Sequence, residues 1–219
     1  MSRRAFLATA GAAATGVLGL VGSPAPLEGA RSPMRIRTVY ALHGETQADP
    51  DWPNKGFDFR PVMSTVNGAL AKACPEFEFL PTLATGEEQA RKIADADKDG
   101  EVAGYLVYQM NCWNRVVQAL AATGKPVLYA DFQFGGSGGF LVYTSALLRA
   151  HAPNVGFVAS SKIDDLVAAV KCFSIVAGGG TPAAFSAAVT RARVERTPGP
   201  RAFECRDDRL DLPPSAFGA

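Results

Sequence analysis

Along the chain, short runs rich in β-branched and aromatic residues alternate with segments whose apolar residues recur every three or four positions. Arg35 to Leu42 (RIRTVYAL) is expected as a first strand, and Phe59, Val62, Met63, Val66, Leu70 and Ala73 share one face of a helix over 59–73. Cys74-Pro75 stops that helix, because the residue before proline is pushed out of the helical region. Phe77 to Leu80 is expected as a second strand, followed by a short helix opened by Thr85-Gly86-Glu87-Glu88, a capping-box spacing. Val102 to Tyr108 (VAGYLVY) is continuously apolar, the pattern of a central strand buried on both faces. A helix capped by Asn111 then carries Trp113, Val116, Val117, Leu120 and Ala121 on one face and ends at Gly124 with Pro126 beyond. Pro126 to Ala130, a helix from Phe140 to Arg149, Val155 to Ala159, and a helix opened by the box Ser161-Lys162-Ile163-Asp164 complete the alternation.

Five strands, each followed by a helix and joined by connections mostly too long for hairpins, imply an α/β fold. The expected architecture is three-layered, a mostly parallel five-stranded sheet covered on both faces. This domain spans 34–178. In 179–219 a last helix starts at Thr181-Pro182 with Phe185, Ala188 and Val189 inward, and a proline-rich stretch without periodicity follows, expected as a linker or arm.

The amino terminus carries a different signal. Ser2-Arg3-Arg4-Ala5-Phe6-Leu7 matches the twin-arginine export pattern, and the uncharged, Gly/Ala-rich run Thr9 to Gly22 follows it. Residues 1–25 are therefore expected as a cleavable signal that sends the protein to the periplasm or outside the cell, with membrane contact only during export. The competing reading is a membrane anchor, but the run is shorter and less apolar than the roughly 20 residues a spanning helix needs.

Charge excludes little except nucleic acid. The net charge of +1 comes from 22 Lys+Arg against 21 Asp+Glu, with no basic stripe; losing Arg3 and Arg4 with the signal would make it −1. Cys74, Cys112, Cys172 and Cys205 have no metal-ligand spacing and only two histidines to join them, so no zinc site is expected and disulfide pairing stays open. Asp95-Ala96-Asp97-Lys98-Asp99-Gly100 imitates the start of a calcium loop, but Leu106 stands where the bidentate glutamate belongs; a solvated helix-to-strand turn is the better account. Cys112 at a helix start could be an activated thiol with His43 near, against the plainer reading of a small buried residue. GxxxxGK[ST] and HExxH are absent.

In an open parallel sheet, ligands bind beyond the carboxyl ends of the strands. Those ends carry His43 and Glu45 after the first strand, Gln109, Asn111 and Trp113 after the third, and Asp131 and Gln133 after the fourth. Amides, acids and an aromatic platform suit a sugar or similar polyol. The alternatives are that Asn111 only caps its helix, Asp131 only caps a turn and Trp113 is core. The following loop, with Gly135, Gly136, Ser137 and Gly138, misses the G-x-G-x-x-G spacing because Leu141 stands at the third position. It is expected instead as one wall of a polar-ligand pocket shared with Gln109, Asn111 and Asp131.

The segment GYLVYQMNCWNRVVQALAATGKPVLYADFQFGGSGGFL (104–141), with the order of elements around it, resembles the N-terminal half of exported proteins related to the L-fucose and L-arabinose isomerases. The resemblance covers about Ile36 to Asp208. It implies a flavodoxin-like or Rossmann-like α/β domain and, in the enzymes, aldose–ketose isomerisation with a divalent metal such as manganese. Their metal-binding carboxylates and histidine come from later parts of a longer chain. None has a counterpart here, so no catalytic residue carries over and no cofactor is expected unless a second half completes the site. Three expectations stand: from the export signal and the strand-end amides, a sugar-binding module without catalysis; from the resemblance, an isomerase component needing a second chain or homo-oligomer; and, from the glycine loop taken as a phosphate site, a flavin- or nucleotide-binding redox domain.

Overall fold

The run MRIRTVYA forms the first strand, β1 (Met34–Ala41), and its β-branched and aromatic residues suit a pleated surface packed on both sides. A computed structural model of the chain describes residues 32–50, 53–132 and 137–199, and the backbone of 204–206 and 209–211. The export-signal residues 1–25, and Trp52, lie outside the described residues.

The other sheet strands are β2 (Phe77–Ala84), β3 (Val102–Gln109), β4 (Val127–Asp131) and β5 (Val155–Val158). They form one five-stranded sheet in the order β2-β1-β3-β4-β5, every pair parallel. This is the flavodoxin-like order, with the topological switch point between β1 and β3. β2 runs four residues past Leu80 and includes Pro81, tolerated because β2 is an edge strand that needs no outward ladder donor there.

Alternation along the strands feeds two helix layers. Ile36, Tyr40, Leu106, Leu128 and Val158 face α1 (Arg60–Ala73), α5 (Ile163–Lys171) and α7 (Pro182–Arg196). Val39, Val107, Val127 and Tyr129 face α2 (Glu87–Ala96), α3 (Val116–Ala121) and α4 (Ser137–Arg149). Burial of each large apolar side chain contributes about 1.5–3 kcal/mol, so both layers are needed to hold the sheet. A single turn, α6 (Ser174–Ala177), links α5 to α7.

α7 closes the β5 edge. Thr181 caps it by accepting from the Ala184 N–H at 3.1 Å, and Phe185, Ala188 and Val189 are its buried face. Phe185 packs on Phe173 with ring centroids 4.5 Å apart, and Arg193 lies 4.2 Å over the Phe157 ring. Gly156 makes this approach possible, since a Cβ there would stand 2.7 Å from Val189 Cβ. In the tail, β6 (Glu204–Arg206) and β7 (Arg209–Asp211) pair antiparallel, a hairpin where a linker or arm was expected.

Three local expectations need correction. α3 starts at Val116 rather than at Asn111, because Trp113 and Arg115 take left-handed backbone angles (φ 62° and 58°) that no helix accommodates. Gly86, not Thr85, is the N-cap of α2, and the Thr85 N–H is satisfied by Gln89 Oε1 at 2.8 Å. The N-cap of α5 is Lys162 rather than Ser161 and has no side-chain cap bond; ahead of it Ser160 Oγ accepts from the Lys162 N–H at 3.1 Å and donates to Asp165 Oδ2.

The calcium-like turn is not simply solvated. Asp97 is 2% exposed and accepts two bonds from Arg37, one of them Nε to Oδ2 at 3.0 Å. Lys125 Nζ donates to the carbonyls of Asp97 and Val102 at 2.7 and 2.8 Å. The carboxylate is thus committed to an ion pair that ties α2 to β1, and Arg37's pKa is raised first by its hydrogen bond to Asp97.

Candidate functional site

The carboxyl ends of β1 and β3 are joined by a buried amide network. Asn111, fully buried, accepts from the His43 N–H at 2.9 Å and donates to Gln47 Oε1 at 3.1 Å. Gln109, also fully buried, donates to the Asn111 carbonyl and accepts from the Tyr129 hydroxyl at 2.8 Å. Asn114 donates to the same carbonyl at 3.0 Å, and its Oδ1 accepts from the Val116 N–H at 3.2 Å, just ahead of α3, whose N-cap is Arg115 rather than Asn111. Buried amides demand such partners, since each unmet one costs about 1–3 kcal/mol. Gln109 and Asn111 therefore hold the β1–α1 and β3–α3 loops together. Gln47, Asn114 and Tyr129 are members the sequence reading missed.

The β1–α1 loop itself folds back as a small antiparallel excursion, with Thr46 bridging Asp58 and Gln47 N–H bonded to the Phe57 carbonyl at 2.9 Å. His43 and Glu45 are exposed on its rim. Trp113 is 63% exposed rather than core, its ring edge-on to Tyr143 at 6.3 Å. Cys112 is half-buried and its Sγ accepts from the Gly139 N–H at 3.3 Å, so α4's first turn leans on the β3–α3 loop. A Cβ on Gly139 would come within 3.1 Å of Cys112 Cα. Gln133, Gly135 and Gly136 lie outside the described residues; Gly138 is exposed and Ser137 donates to Asp131 Oδ2 at 3.2 Å.

A crevice of about 190 Å³ opens between α1 and α5 beyond the ends of β3, β4 and β5. Its floor is apolar, from Ala130, Val158 and Leu166, and its walls carry Thr65, Tyr108, Asp131, Ser160, Ser161 and Lys162. Of the residues expected to bind a ligand, Asp131 lines it. Burial pushes the Asp131 carboxyl above the usual range, partly offset by Ser137, and Asp131 Oδ1 is buried with no hydrogen-bond partner among the described residues. The Tyr108 hydroxyl is pushed up to about 12, by burial and then by Asp131. Ser160 is fixed by Asp165, which Arg196 of α7 also engages, so the wall after β5 is held from behind. The Asp165 carboxyl lies below its usual range, chiefly through Ser160.

A second cavity, about 250 Å³, lies between α4 and β5 and is lined largely by apolar side chains such as Leu147, Val155 and Phe157. It sits toward the amino end of β5, away from the edge where open parallel sheets take ligands. Among the described residues no group of three or more His, Cys, Asp or Glu is placed to hold a metal ion, and no helix is long and apolar enough to cross a membrane. Comparison with known proteins finds no family model, no curated protein and no solved structure that matches the chain.

Proposed function

We propose that this chain is an exported α/β module that binds a carbohydrate or similar small polar ligand in the crevice between α1 and α5. The observation that carries the reading is the crevice itself: a few polar groups converge over an apolar floor at the carboxyl edge of a parallel sheet. Hydroxyl, carboxyl and amine groups together both donate to and accept from a polyol. The Asp131 oxygen, without a hydrogen-bond partner among the described residues, supports it further, since a buried acceptor is stabilised by a donor that a ligand hydroxyl can supply. The twin-arginine pattern supports export, and the resemblance to sugar isomerases supports a sugar.

Titration calorimetry of the purified protein against pentoses, deoxyhexoses and sugar acids tests the reading. Binding to a subset is expected, weakened at least about tenfold by Asp131→Asn, a loss typical of one charged hydrogen bond. Absence of heat and of thermal shift with every sugar would sink it.

A further inference from the structure

An apolar cavity of about 420 Å³ adjoins the polar crevice. It is lined by Phe57, Pro61, Val62, Thr65, Val66 and Phe132, and Thr65 belongs to both walls. The two spaces therefore meet along the outer side of α1's second turn. Thr65 between them carries no charge, its hydroxyl donating back to the Pro61 carbonyl at 2.9 Å.

Aromatic packing gives the apolar side a fixed shape. Phe57 packs edge-on against Phe59 at 5.1 Å, Phe132 lies 6.2 Å from Phe57 and 6.1 Å from Phe59, and Tyr108 lies 6.2 Å from Phe132. Tyr108 lines the polar crevice, so one ring cluster supports both compartments. Size points the same way. At about 190 Å³ the polar crevice falls short of the about 300–1,000 Å³ usual for small-molecule sites, and the two spaces together fall within that range.

We propose that the site takes an amphiphilic ligand, a glycoside whose polar ring lies between Asp131 and Lys162 and whose apolar, ring-sized aglycone lies against Phe57, Val62 and Phe132. The inference rests on the crevice being the sugar site. Specificity then comes from both ends: the polar walls orient the sugar, and the apolar cavity adds affinity by burying the aglycone.

The test compares free pentoses and hexoses with their phenyl β-glycosides by calorimetry. Expected are phenyl glycosides binding at least about tenfold more tightly than the matching sugar, and loss of that gain in Val62→Asp with the free-sugar affinity kept. Phe57→Ser is the second variant, should Val62→Asp unfold. Equal affinity for sugar and phenyl glycoside would overturn the inference while leaving the sugar site standing. A gain that survives both substitutions would overturn it by placing the aglycone elsewhere. Binding of neither class would overturn the crevice reading and this inference together.

Discussion

Replacing Asn111 by alanine separates a scaffold role from a ligand-binding one. The side chain is fully buried and makes two long-range bonds, accepting from the His43 N–H at 2.9 Å and donating to Gln47 Oε1 at 3.1 Å. Truncation leaves both partners unmet, and each buried orphan costs about 1–3 kcal/mol. His43 is exposed as a residue, so water recovers part of its share, whereas Gln47 is 5% exposed and recovers little. The expected loss is about 2–4 kcal/mol, which for a protein of this size lowers Tm by roughly 5–15 °C. Urea unfolding should show a lower midpoint with an unchanged slope, because the exposed area on unfolding is the same. Gln47→Ala alone and the double variant close a cycle that isolates the pair. A loss under about 0.5 kcal/mol, the noise level of surface substitutions, would refute the claim that this amide holds the loops.

Three further outcomes follow from the packing. Asp97→Ala strands the partly exposed Arg37 and should cost about 1–3 kcal/mol in denaturant unfolding, the range for an unmet buried partner; near-neutrality would mean that water replaces the carboxylate. Gly156→Ala places a Cβ 2.7 Å from Val189 and should destabilise by about 1–3 kcal/mol, relieved by Val189→Ala in the same chain; additivity of the two losses would refute the contact. Asp131 has a folded pKa raised by burial above the unfolded value of about 3.9. Its ionisation therefore costs stability, a cost absent below the unfolded pKa and complete above the folded one. The stability difference between Asp131→Asn and the parent should grow in the variant's favour as pH rises through that interval, read as Tm against pH; a flat difference would refute it.

The layers of the fold were legible because periodicity survives packing. Phe185, Ala188 and Val189, and Val116, Val117 and Leu120, point inward as their spacing predicts, and the VAGYLVY run is buried within β3. The site was only partly legible. Gln109 and Asn111 are polar residues at strand ends, the right signature for a ligand, but their partners lie at Gln47, His43 and Tyr129, and no local pattern reports such distant pairings. Trp113 is spaced as an inward helical position, yet left-handed backbone at Trp113 itself and at Arg115 delays the helix to Val116 and leaves Trp113 exposed in the loop before it. Thr65, Ser161 and Lys162 were missed because hydroxyls and amines at exposed positions carry no period. The fifth strand's end, read as a capping box, held the available clue: it too belongs to the carboxyl edge.

The placement of α7 also sets the order in which the molecule is completed. β1 is made first of the sheet strands and lies inside the sheet, with β2 added on one side and β3, β4 and β5 in turn on the other. The face holding Phe173 and Gly156 is then still open, and it closes only when Phe185 and Val189 arrive from α7. During synthesis the nascent chain therefore carries an exposed apolar surface and an uncovered strand edge until α7 emerges, the interval in which such chains are most prone to aggregate.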